Sequence, residues 1–468
     1  MRIAVIHYHL KPGGVTTVIR RQINAARGST DYIVITGESG PENFPADTAV
    51  VPGLGYDEPN PAAGNAPGEV AAAILDVITA RWPDGCDLVH IHNPLLAKNR
   101  RLLRIIRELQ KKGLRLFLQV HDFAEDGRPR HYFAKDPYPA DCHWGVINSR
   151  DRDILLAAGA DPGGVHLVPN AVNPFEESAP PGGQKGLALY PVRAIRRKNI
   201  GEALLLSLFF ENIDQLAITL PPNSPADMPG YRSWQAFAAN RDLPVIFEAS
   251  TARDFHALVA AAACMISTSI TEGFGFAFLE PWTAGKPLVG RKLPALCRDF
   301  ESAGVDLAHL YTRLDIPTAW LPPGELAAKI DRAVTAACRA FNIPAEDKTR
   351  QWFTALADRD TVDFGLLDES LQQAVLSLLL DDAGCRRELA AGNPGLAFPA
   401  AAAAPERIAA NNRAVRRDYA AGTAADRLTA AYRAVRDLPV RHRLDKQVIL
   451  TRFFNPERFN LLQWGEYA

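Results

Sequence analysis

The chain has 468 residues, 47% of them hydrophobic and 22% charged, a composition typical of globular proteins rather than disordered or fibrous ones. Its 52 Lys and Arg residues nearly balance its 53 Asp and Glu residues, so no global positive charge indicates nucleic acid as a partner. The six cysteines contain no C-x-x-C pair, which argues against a zinc site and favours buried thiols in a reducing compartment.

The N-terminal part alternates short β-branched runs with longer helical patterns. The predicted strands are Ile3–Ile6, Tyr32–Ile35, Asp87–Ile91, Leu114–Val120, Gly145–Ile147 and His166–Val168. Apolar residues three and four positions apart predict helices over Val15–Ala26 and Leu102–Leu109. We therefore predict an α/β domain over residues 1–173, a Rossmann-like doubly wound parallel sheet covered on both faces.

A cluster of Pro and Gly predicts a linker over residues 174–185, after which the alternation resumes. The predicted strands are Gly186–Tyr190, Gln215–Leu220, Val245–Glu248, Cys264–Ser267 and Pro287–Gly290. These runs predict a second Rossmann-like domain over residues 186–440. Two such domains in tandem imply a ligand cleft between them, at the carboxyl ends of both sheets.

The C-terminal part is mostly helical, and we predict a helical insertion around residues 298–405 in the second domain. Residues 441–468 carry too much apolar area to be left in water, so we expect this segment to pack back on the fold, on the N-terminal domain. Its large apolar residues are Phe453, Phe454, Phe459, Leu461, Leu462 and Trp464.

The chain begins directly with a strand-like run and has neither a signal-peptide pattern nor about 18 unbroken apolar residues. We therefore expect a cytoplasmic protein.

Paired glycines, Gly13 and Gly14, follow the first predicted strand and open a helix. Glycines allow positive φ and close backbone approach, and a helix N-terminus presents free N–H groups to an anion. The pattern indicates a phosphate or acceptor contact, although many strand-to-helix turns need glycine for steric reasons alone.

A basic run, Arg193, Arg196, Arg197 and Lys198, follows the first strand of the second domain. Ligands of doubly wound sheets bind at the carboxyl ends of the strands, and fixed cations there can stabilise a departing diphosphate. We favour this interpretation over a solvated basic turn.

Two glutamates flank a glycine-rich turn: Glu272 precedes Gly273-Phe274-Gly275, and Glu280 falls about two turns into the predicted helix that follows. A carboxylate can accept both hydroxyls of a ribose, which suits Glu280, whereas Glu272 could orient a donor sugar. Backbone N–H groups after Gly275 would point at the phosphates.

Together, these motifs resemble the large retaining glycosyltransferase family 4 (group 1 type), which has the GT-B fold. The resemblance rests on Glu272-x7-Glu280, on Arg193 with Lys198 five residues on, on Gly13-Gly14-Val15, and on His121-Asp122. Residues 298–405 exceed the family's usual length.

The resemblance implies a metal-independent enzyme that transfers a hexose from a nucleoside-diphosphate sugar to an acceptor hydroxyl. Arg193 and Lys198 would bind the diphosphate, Glu280 the ribose and Glu272 the transferred sugar, with His121 beside the reacting sugar. Weaker family positions near the cleft are matched by Asn148, Ser149 and Asn170. No cofactor is implied, and the acceptor, whether a saccharide, a small polyol or acid, or a lipid-linked molecule, stays open. The alternatives are a non-catalytic nucleotide-sugar or glycan-binding protein and a GT-B phosphorylase.

Three competing patterns are weaker. Asp151-x-Asp153 and Asp358-x-Asp360 fit a metal-held diphosphate, but Asp151 is more simply a first-turn residue of a helix capped by Asn148. His90 and His92 alternate on one strand face and are expected to be core or cleft histidines rather than metal ligands. Residues 98–115 hold eight basic residues and one acid, so contact with an anionic membrane surface is an alternative to a solvated helix face, which we favour.

Overall fold

The computed structural model describes residues 1–57, 66–175, 186–211, 213–344, 347–396 and 404–465. The strands are β1 (Arg2–Ile6), β2 (Asp31–Thr36), β3 (Asp47–Val50), β4 (Leu88–His92), β5 (Leu116–Val120), β6 (His143–Val146), β7 (Val165–Leu167), β8 (Leu187–Arg193), β9 (Gln215–Leu220), β10 (Val245–Ile246), β11 (Ala262–Ser267), β12 (Leu288–Gly290), β13 (Asp315–Pro317) and β14 (Thr361–Asp363). The helices are α1 (Gly14–Ala26), α2 (Pro67–Arg81), α3 (Leu102–Lys111), α4 (Ser149–Ala157), α5 (Ile200–Ser207), α6 (Met228–Asn240), α7 (Ala249–Ala252), α8 (Phe255–Ala261), α9 (Glu280–Thr283), α10 (Pro294–Ser302), α11 (Glu325–Phe341), α12 (Asp347–Thr354), α13 (Glu369–Asp381), α14 (Ala383–Gly392), α15 (Pro405–Asp418), α16 (Ala421–Asp437), α17 (Lys446–Phe453) and α18 (Leu461–Trp464).

The chain divides into two compact units, each built from two stretches of sequence. Unit 1 comprises residues 1–171 and 419–454, and unit 2 comprises residues 172–418 and 455–468. The predicted linker, residues 174–185, falls at this division, and all of it except residues 174 and 175 lies outside the described residues.

Unit 1 is built on a parallel sheet of strand order β3-β2-β1-β4-β5-β6-β7. Successive side chains of a strand point to opposite faces, so alternate residues of β1 enter different cores. Ala4 and Ile6 pack with α2, α3 and α17, whereas Ile3 and Val5 pack with α1 and α16. The β-branched runs therefore form strands that are buried on both faces, as the alternation predicts.

Helices α16 and α17 belong to unit 1, although the sequence places residues up to 440 in the second domain. The reason is apolar packing: Leu428 and Tyr432 of α16 complete one core of the unit 1 sheet, and Phe453 of α17 completes the other. The C-terminal segment is also divided, because residues from 455 onward join unit 2. There Phe459 contacts Phe353 with ring centroids 5.0 Å apart. The expectation that all of 441–468 packs on the N-terminal domain therefore holds only for its first part.

Unit 2 contains a parallel sheet of order β10-β9-β8-β11-β12 and an antiparallel pair, β13 and β14. The pair and helices α11 to α14 lie in the predicted insertion, of which residues 345, 346 and 397–403 are outside the described part. In both sheets the strand order reverses once, between β1 and β4 in unit 1 and between β8 and β11 in unit 2. Ligands of doubly wound sheets bind outside the carboxyl ends of the strands at such reversals.

No helix in the described part of the chain combines the length and apolar character needed to cross a membrane.

A buried carboxyl group gives unit 1 a pH-dependent stability. Glu125 has no exposed surface and accepts a hydrogen bond of 2.7 Å from the Tyr138 hydroxyl. Its second oxygen has no hydrogen-bond partner among the described residues. Burial raises the pKa of Glu125 to about 7 from an ordinary value of 4.5. The folded state therefore holds this proton more tightly than the unfolded state does.

Because the folded pKa is the higher one, this stabilisation is complete below about pH 4.5 and is lost as the pH rises through 7. The loss amounts to about 3 kcal/mol. We predict that Glu125→Gln makes the slope of the free energy of unfolding against pH more positive than in the wild type between pH 5 and 8, as measured by urea denaturation. Glu301→Gln, at a half-exposed side chain, is the control. Equal pH slopes for Glu125→Gln and the wild type would refute the prediction.

Candidate functional site

The strand reversal of unit 2 places two predicted site segments side by side. Strand β8 ends at Arg193 and leads into a 3-10 turn over Arg196–Lys198, while β11 ends at Ser267 and leads into the loop that contains Glu272. Since β8 and β11 are paired neighbours, both loops leave the same edge of the sheet.

Lys198 and Glu272 form an ion pair at this edge. The ammonium group of Lys198 donates to Oε1 of Glu272. Their side chains are 14% and 10% exposed, so the pair is largely withdrawn from water but still reachable. The structure thus brings together two residues that are 74 positions apart in the chain.

The electrostatics keep Glu272 ionised. Burial opposes its charge, yet Lys198 and Arg197, with a hydrogen bond from Ser269, lower the pKa of Glu272 below its ordinary value. Burial also lowers the pKa of Lys198, and Glu272 counteracts that effect. A buried anionic carboxylate beside a cation can accept hydrogen bonds from sugar hydroxyls.

Hydrogen bonds tie the two loops together. The Tyr190 hydroxyl donates to the carbonyl of Lys198 at 2.6 Å. The Thr268 hydroxyl lies 3.1 Å from the same carbonyl and 3.0 Å from that of Asn199, and donates toward both. These contacts fix the backbone on which Lys198 is carried, so its side chain starts from a defined position.

Arg196 does not point into the site, contrary to its grouping with the diphosphate-binding cations. Its guanidinium forms a bidentate pair with Glu369 at 2.7 and 2.8 Å and donates to the carbonyl of Gly465. Gln372, one turn after Glu369, donates to the side chain of Asn199 at 2.8 Å. Asn199 adopts a left-handed conformation with φ of 52°, which this contact helps to hold. Arg196 is therefore an anchor of the turn.

Arg193, at the end of β8, remains available for a ligand. It is exposed, and its guanidinium donates to the carbonyl of Pro221 at 3.0 Å. Its charge faces solvent beside the turn that carries Lys198.

Next to the turn lies a buried charge network that no local sequence pattern indicates. Arg291, 4% exposed, makes two hydrogen bonds each to Glu202 and Asp363, all between 2.7 and 2.8 Å. Although burial opposes it, Arg291 lowers the pKa of Asp363. Glu202 also accepts from Asn199 at 2.7 Å and from the Tyr311 hydroxyl at 2.8 Å. The network reaches the residue next to Lys198.

The segment from Gly273 to Glu280 differs from the predicted helix. A 3-10 turn covers Phe276–Phe278, and α9 begins at Glu280, so this residue lies at a helix start rather than two turns inside. Gly275 has φ of 91°, and an added Cβ would lie 2.8 Å from Leu296. A glycine is therefore required here.

Phe274 belongs to the core rather than to a ligand surface. Its ring lies 4.9 Å from that of Phe276 and 5.8 Å from that of Phe300, and it is 5% exposed. The backbone of Gly273 and Phe274, not the aromatic side chain, is what a ligand could meet.

In unit 1, the glycine turn lies at the edge where β1 ends. Gly13 has φ of 178°, and Gly14 begins α1 with negative φ, so neither residue uses the positive φ that a glycine allows. An added Cβ at Gly14 would meet nothing within 4 Å, and one at Gly13 would lie 3.8 Å from the carbonyl of Lys11. The fold itself therefore does not require either glycine, which leaves room for a ligand.

His121 follows β5 and is part of a histidine pair. Its Nε2 lies 2.9 Å from Nδ1 of His92, and the rings stack with centroids 5.2 Å apart. Burial lowers the pKa of His121 to about 4, with Asp122 opposing, so the ring is neutral at pH 7. Its Nδ1 has no hydrogen-bond partner within the described ranges, which leaves it for a substrate hydroxyl.

The three weaker candidates have different environments. Asn148 caps α4, with Oδ1 accepting from the N–H of Asp151 at 2.8 Å and Nδ2 donating to its carboxylate at 2.9 Å. Ser149 is the first residue of α4. Asn170 is 6% exposed, and its Oδ1 has no partner in the described part of the structure.

Asp151 and His90, from two of the competing patterns, make structural contacts. Asp151 also pairs with Arg150, and among the described residues no group of three or more His, Cys, Asp or Glu could hold a metal ion. His90 accepts from the Tyr432 hydroxyl at 2.8 Å and donates to Gln119 at 2.9 Å. In residues 98–115, the apolar face of α3 is buried in the unit 1 core.

Comparisons with known proteins bear on the fold and the activity. No family model matches the chain. Mannosylglucosyl-3-phosphoglycerate synthase from Petrotoga mobilis is 26% identical over 413 residues, 79% of either chain. Anabaena Alr3699/HepE, solved in complex with UDP, superposes with a TM-score of 0.53 at 12% identity, covering 92% of this chain and 99% of HepE. WaaG, a glycosyltransferase of lipopolysaccharide biosynthesis, gives a TM-score of 0.47 at 15% identity and covers 87% and 98%. The GT-B fold and the identification as a glycosyltransferase are confirmed.

The Arg196–Glu369 pair leads to a prediction about the stability of the protein. Glu369→Ala leaves the buried Arg196 guanidinium without its carboxylate, and breaking a buried pair costs about 3 kcal/mol or more. Asp381→Ala is the matched control, because the Arg241–Asp381 pair has similar geometry but side chains 34% and 63% exposed. It should cost less than about 1 kcal/mol. Urea unfolding at pH 7 checks both variants, and similar losses would contradict the buried role of Glu369.

Proposed function

We propose that this glycosyltransferase transfers a hexose from a nucleoside-diphosphate sugar to an acceptor hydroxyl, with retention at the anomeric carbon and without a required metal ion. The observation that carries the proposal is the Lys198–Glu272 pair at the strand reversal of unit 2. These two residues belong to the motifs by which the sequence resembles the retaining family 4 enzymes.

The departing diphosphate needs positive charge, and we assign that role to Arg193 and Lys198. Fixed cations in a site that is mostly withdrawn from water stabilise developing negative charge without reorganising. Lys198 is held by its backbone contacts, and the exposed guanidinium of Arg193 lies at the end of the adjoining strand. Protein cations would thus fill the role that a divalent ion has in metal-dependent transferases.

The two glutamates have different roles in this proposal. Glu272, kept anionic by Lys198 and Arg197, accepts hydrogen bonds from the transferred sugar. Glu280, half-buried at the start of α9, accepts the hydroxyls of the ribose. Neutral His121 accepts from or donates to a sugar hydroxyl through Nδ1 rather than supplying a positive charge. The acceptor hydroxyl attacks from the leaving-group face, and no protein nucleophile is involved.

The comparisons support a donor and an acceptor class. HepE was solved with UDP, which is consistent with a nucleoside-diphosphate sugar as donor here. The Petrotoga relative is named for a product that contains 3-phosphoglycerate. We therefore propose that the acceptor of this enzyme is also a small phosphorylated acid or its glycoside.

We predict that Lys198→Ala and Glu272→Gln each lower the transfer rate by about 10²- to 10³-fold, the size of effect seen when one transition-state contact is removed. Mass spectrometry of product and free nucleotide, with 3-phosphoglycerate glycosides as acceptors, measures transfer. Arg241→Ala, at a surface cation of the same unit, is the control and should retain the wild-type rate. Full activity in Lys198→Ala and Glu272→Gln, with unchanged melting temperatures, would exclude the assigned site.

The same assay tests the mechanism. Transfer should persist in EDTA, and NMR of the product should show the anomeric configuration of the donor. An inverted product, or activity that requires an added divalent ion, would contradict the respective part of the proposal.

The glycine turn of unit 1 gives a second functional prediction. Gly14→Ala should fold normally and gain up to about 1 kcal/mol, because its Cβ meets nothing and the unfolded chain loses entropy. If a substrate approaches this backbone closely, the same methyl group should raise KM at least tenfold. Gly68→Ala, at the second position of α2 with equally open surroundings, should leave KM unchanged. An unchanged KM in Gly14→Ala would remove this turn from the site.

A further inference from the structure

A row of rings crosses the carboxyl edge of the unit 1 sheet at its strand reversal. Tyr56 lies 4.7 Å from His9, His9 lies 5.6 Å from His7, and His7 lies 6.3 Å from His92, all between ring centroids. His92 in turn bonds to His121. The row therefore leads from Tyr56 to the residue proposed to contact the reacting sugar.

At the far end of this row, His9, Tyr56 and Lys98 form what we call the Tyr56 cluster. The Lys98 ammonium donates to the Tyr56 hydroxyl at 2.9 Å and lies 4.7 Å from the centroid of that ring. Tyr56 is 38% exposed, and His9 and Lys98 are half-buried. The cluster is open to a solute.

The hydrogen-bonding groups of the Tyr56 cluster that remain available to a ligand are donors. Lys98 has no carboxylate within ion-pair distance among the described residues, so its ammonium keeps unused N–H groups. His9 accepts at Nδ1 from the N–H of Lys11 at 3.3 Å. Burial lowers the pKa of His9, so its single proton is on Nε2, which can donate. The Tyr56 hydroxyl, which accepts from Lys98, has its own proton to donate.

The described acids near the cluster are engaged elsewhere. Glu38 pairs with Lys11 at 2.5 Å. Asp57 accepts from the N–H of Arg100 at 2.9 Å and lies 4.0 Å from the guanidinium of Arg101. Among the described residues, no carboxylate therefore neutralises the charge of Lys98, and neighbouring donors beside such a cation suit a phosphate or carboxylate.

Backbone contacts hold the cluster in place. The Asn99 side chain donates to the carbonyls of Gly53 and Gly55 at 2.7 and 2.8 Å. The N–H of Asp57 donates to the carbonyl of Lys98 at 2.8 Å. These bonds clamp the loop of Tyr56 to the loop of Lys98, so little ordering is needed when an anion binds.

We infer that the Tyr56 cluster binds the anionic end of the acceptor, a phosphate-bearing small acid, with the other end of that molecule toward His121. This inference rests on the proposed function. It adds a location, a set of donors and an orientation for the acceptor.

Isothermal titration calorimetry of the full-length protein with 3-phosphoglycerate, without donor, tests the inference. Lys98→Ala should weaken binding by about 10- to 100-fold, the loss of a charge-assisted contact. Tyr56→Phe should weaken it less, because the ring and the cation remain. Lys111→Ala is the matched control: this lysine is 70% exposed, lies at the other end of the same basic segment and pairs with Glu108. It should bind like the wild type.

Equal affinity in Lys98→Ala and the wild type, or no saturable binding of 3-phosphoglycerate by the wild type at millimolar concentration, overturns the inference. Glycerate should bind more weakly than 3-phosphoglycerate, and equal binding would overturn the phosphate assignment. Binding to vesicles that contain phosphatidic acid, without binding to 3-phosphoglycerate, would indicate a lipid headgroup and likewise overturn it. Melting temperatures and nucleoside-diphosphate titrations of the same variants test folding and the proposed donor site separately.

Discussion

The proposed donor site of unit 2 depends on how one buried cation is paired. Arg291 lies between Glu202 and Asp363, and these residues come from the end of β12, from α5 and from the end of β14. Removing either carboxylate would leave two N–H groups of a buried guanidinium without their acceptors, which is far more costly than losing a surface pair. The three elements are therefore held in one arrangement. Because Glu202 also binds Asn199, that arrangement sets the turn on which Lys198 is carried.

The helical region beyond residue 298 supports the basic turn through contacts of this kind. It supplies Asp363 to Arg291, Glu369 to Arg196 and Gln372 to Asn199. Glu369 and Gln372 hold the turn and the residue after it directly, whereas Asp363 acts through Arg291 and Glu202. The additional residues therefore support the basic turn, and the left-handed conformation of Asn199 is stable because its side chain has two buried partners.

Local patterns predicted much of this arrangement. Strands that are buried on both faces must be apolar throughout, so runs such as Ile3–Ile6 can be predicted from the sequence. Lys198 and Glu272 meet because each follows a strand of one parallel sheet. The Arg196–Glu369 pair has no local signal, since 173 positions separate its members. The start of α9 did have one: Pro281 favours the first turn of a helix, so it indicates a helix that begins at Glu280 rather than one that passes through it.

The two units differ in the charge of the groups at their strand reversals. Unit 2 keeps charged groups at its strand reversal, whereas unit 1 has imidazoles there that burial keeps neutral, with the pKa of His7 lowered to about 3 and that of His121 to about 4. A neutral imidazole can donate a hydrogen bond to a hydroxyl or accept one from it, but it does not attract anions. Along the row from Tyr56 to His121, the attraction for an anion therefore comes from Lys98, at one end. A molecule with one charged end and one hydroxyl-bearing end would be oriented by this asymmetry before any specific contact with the sugar forms.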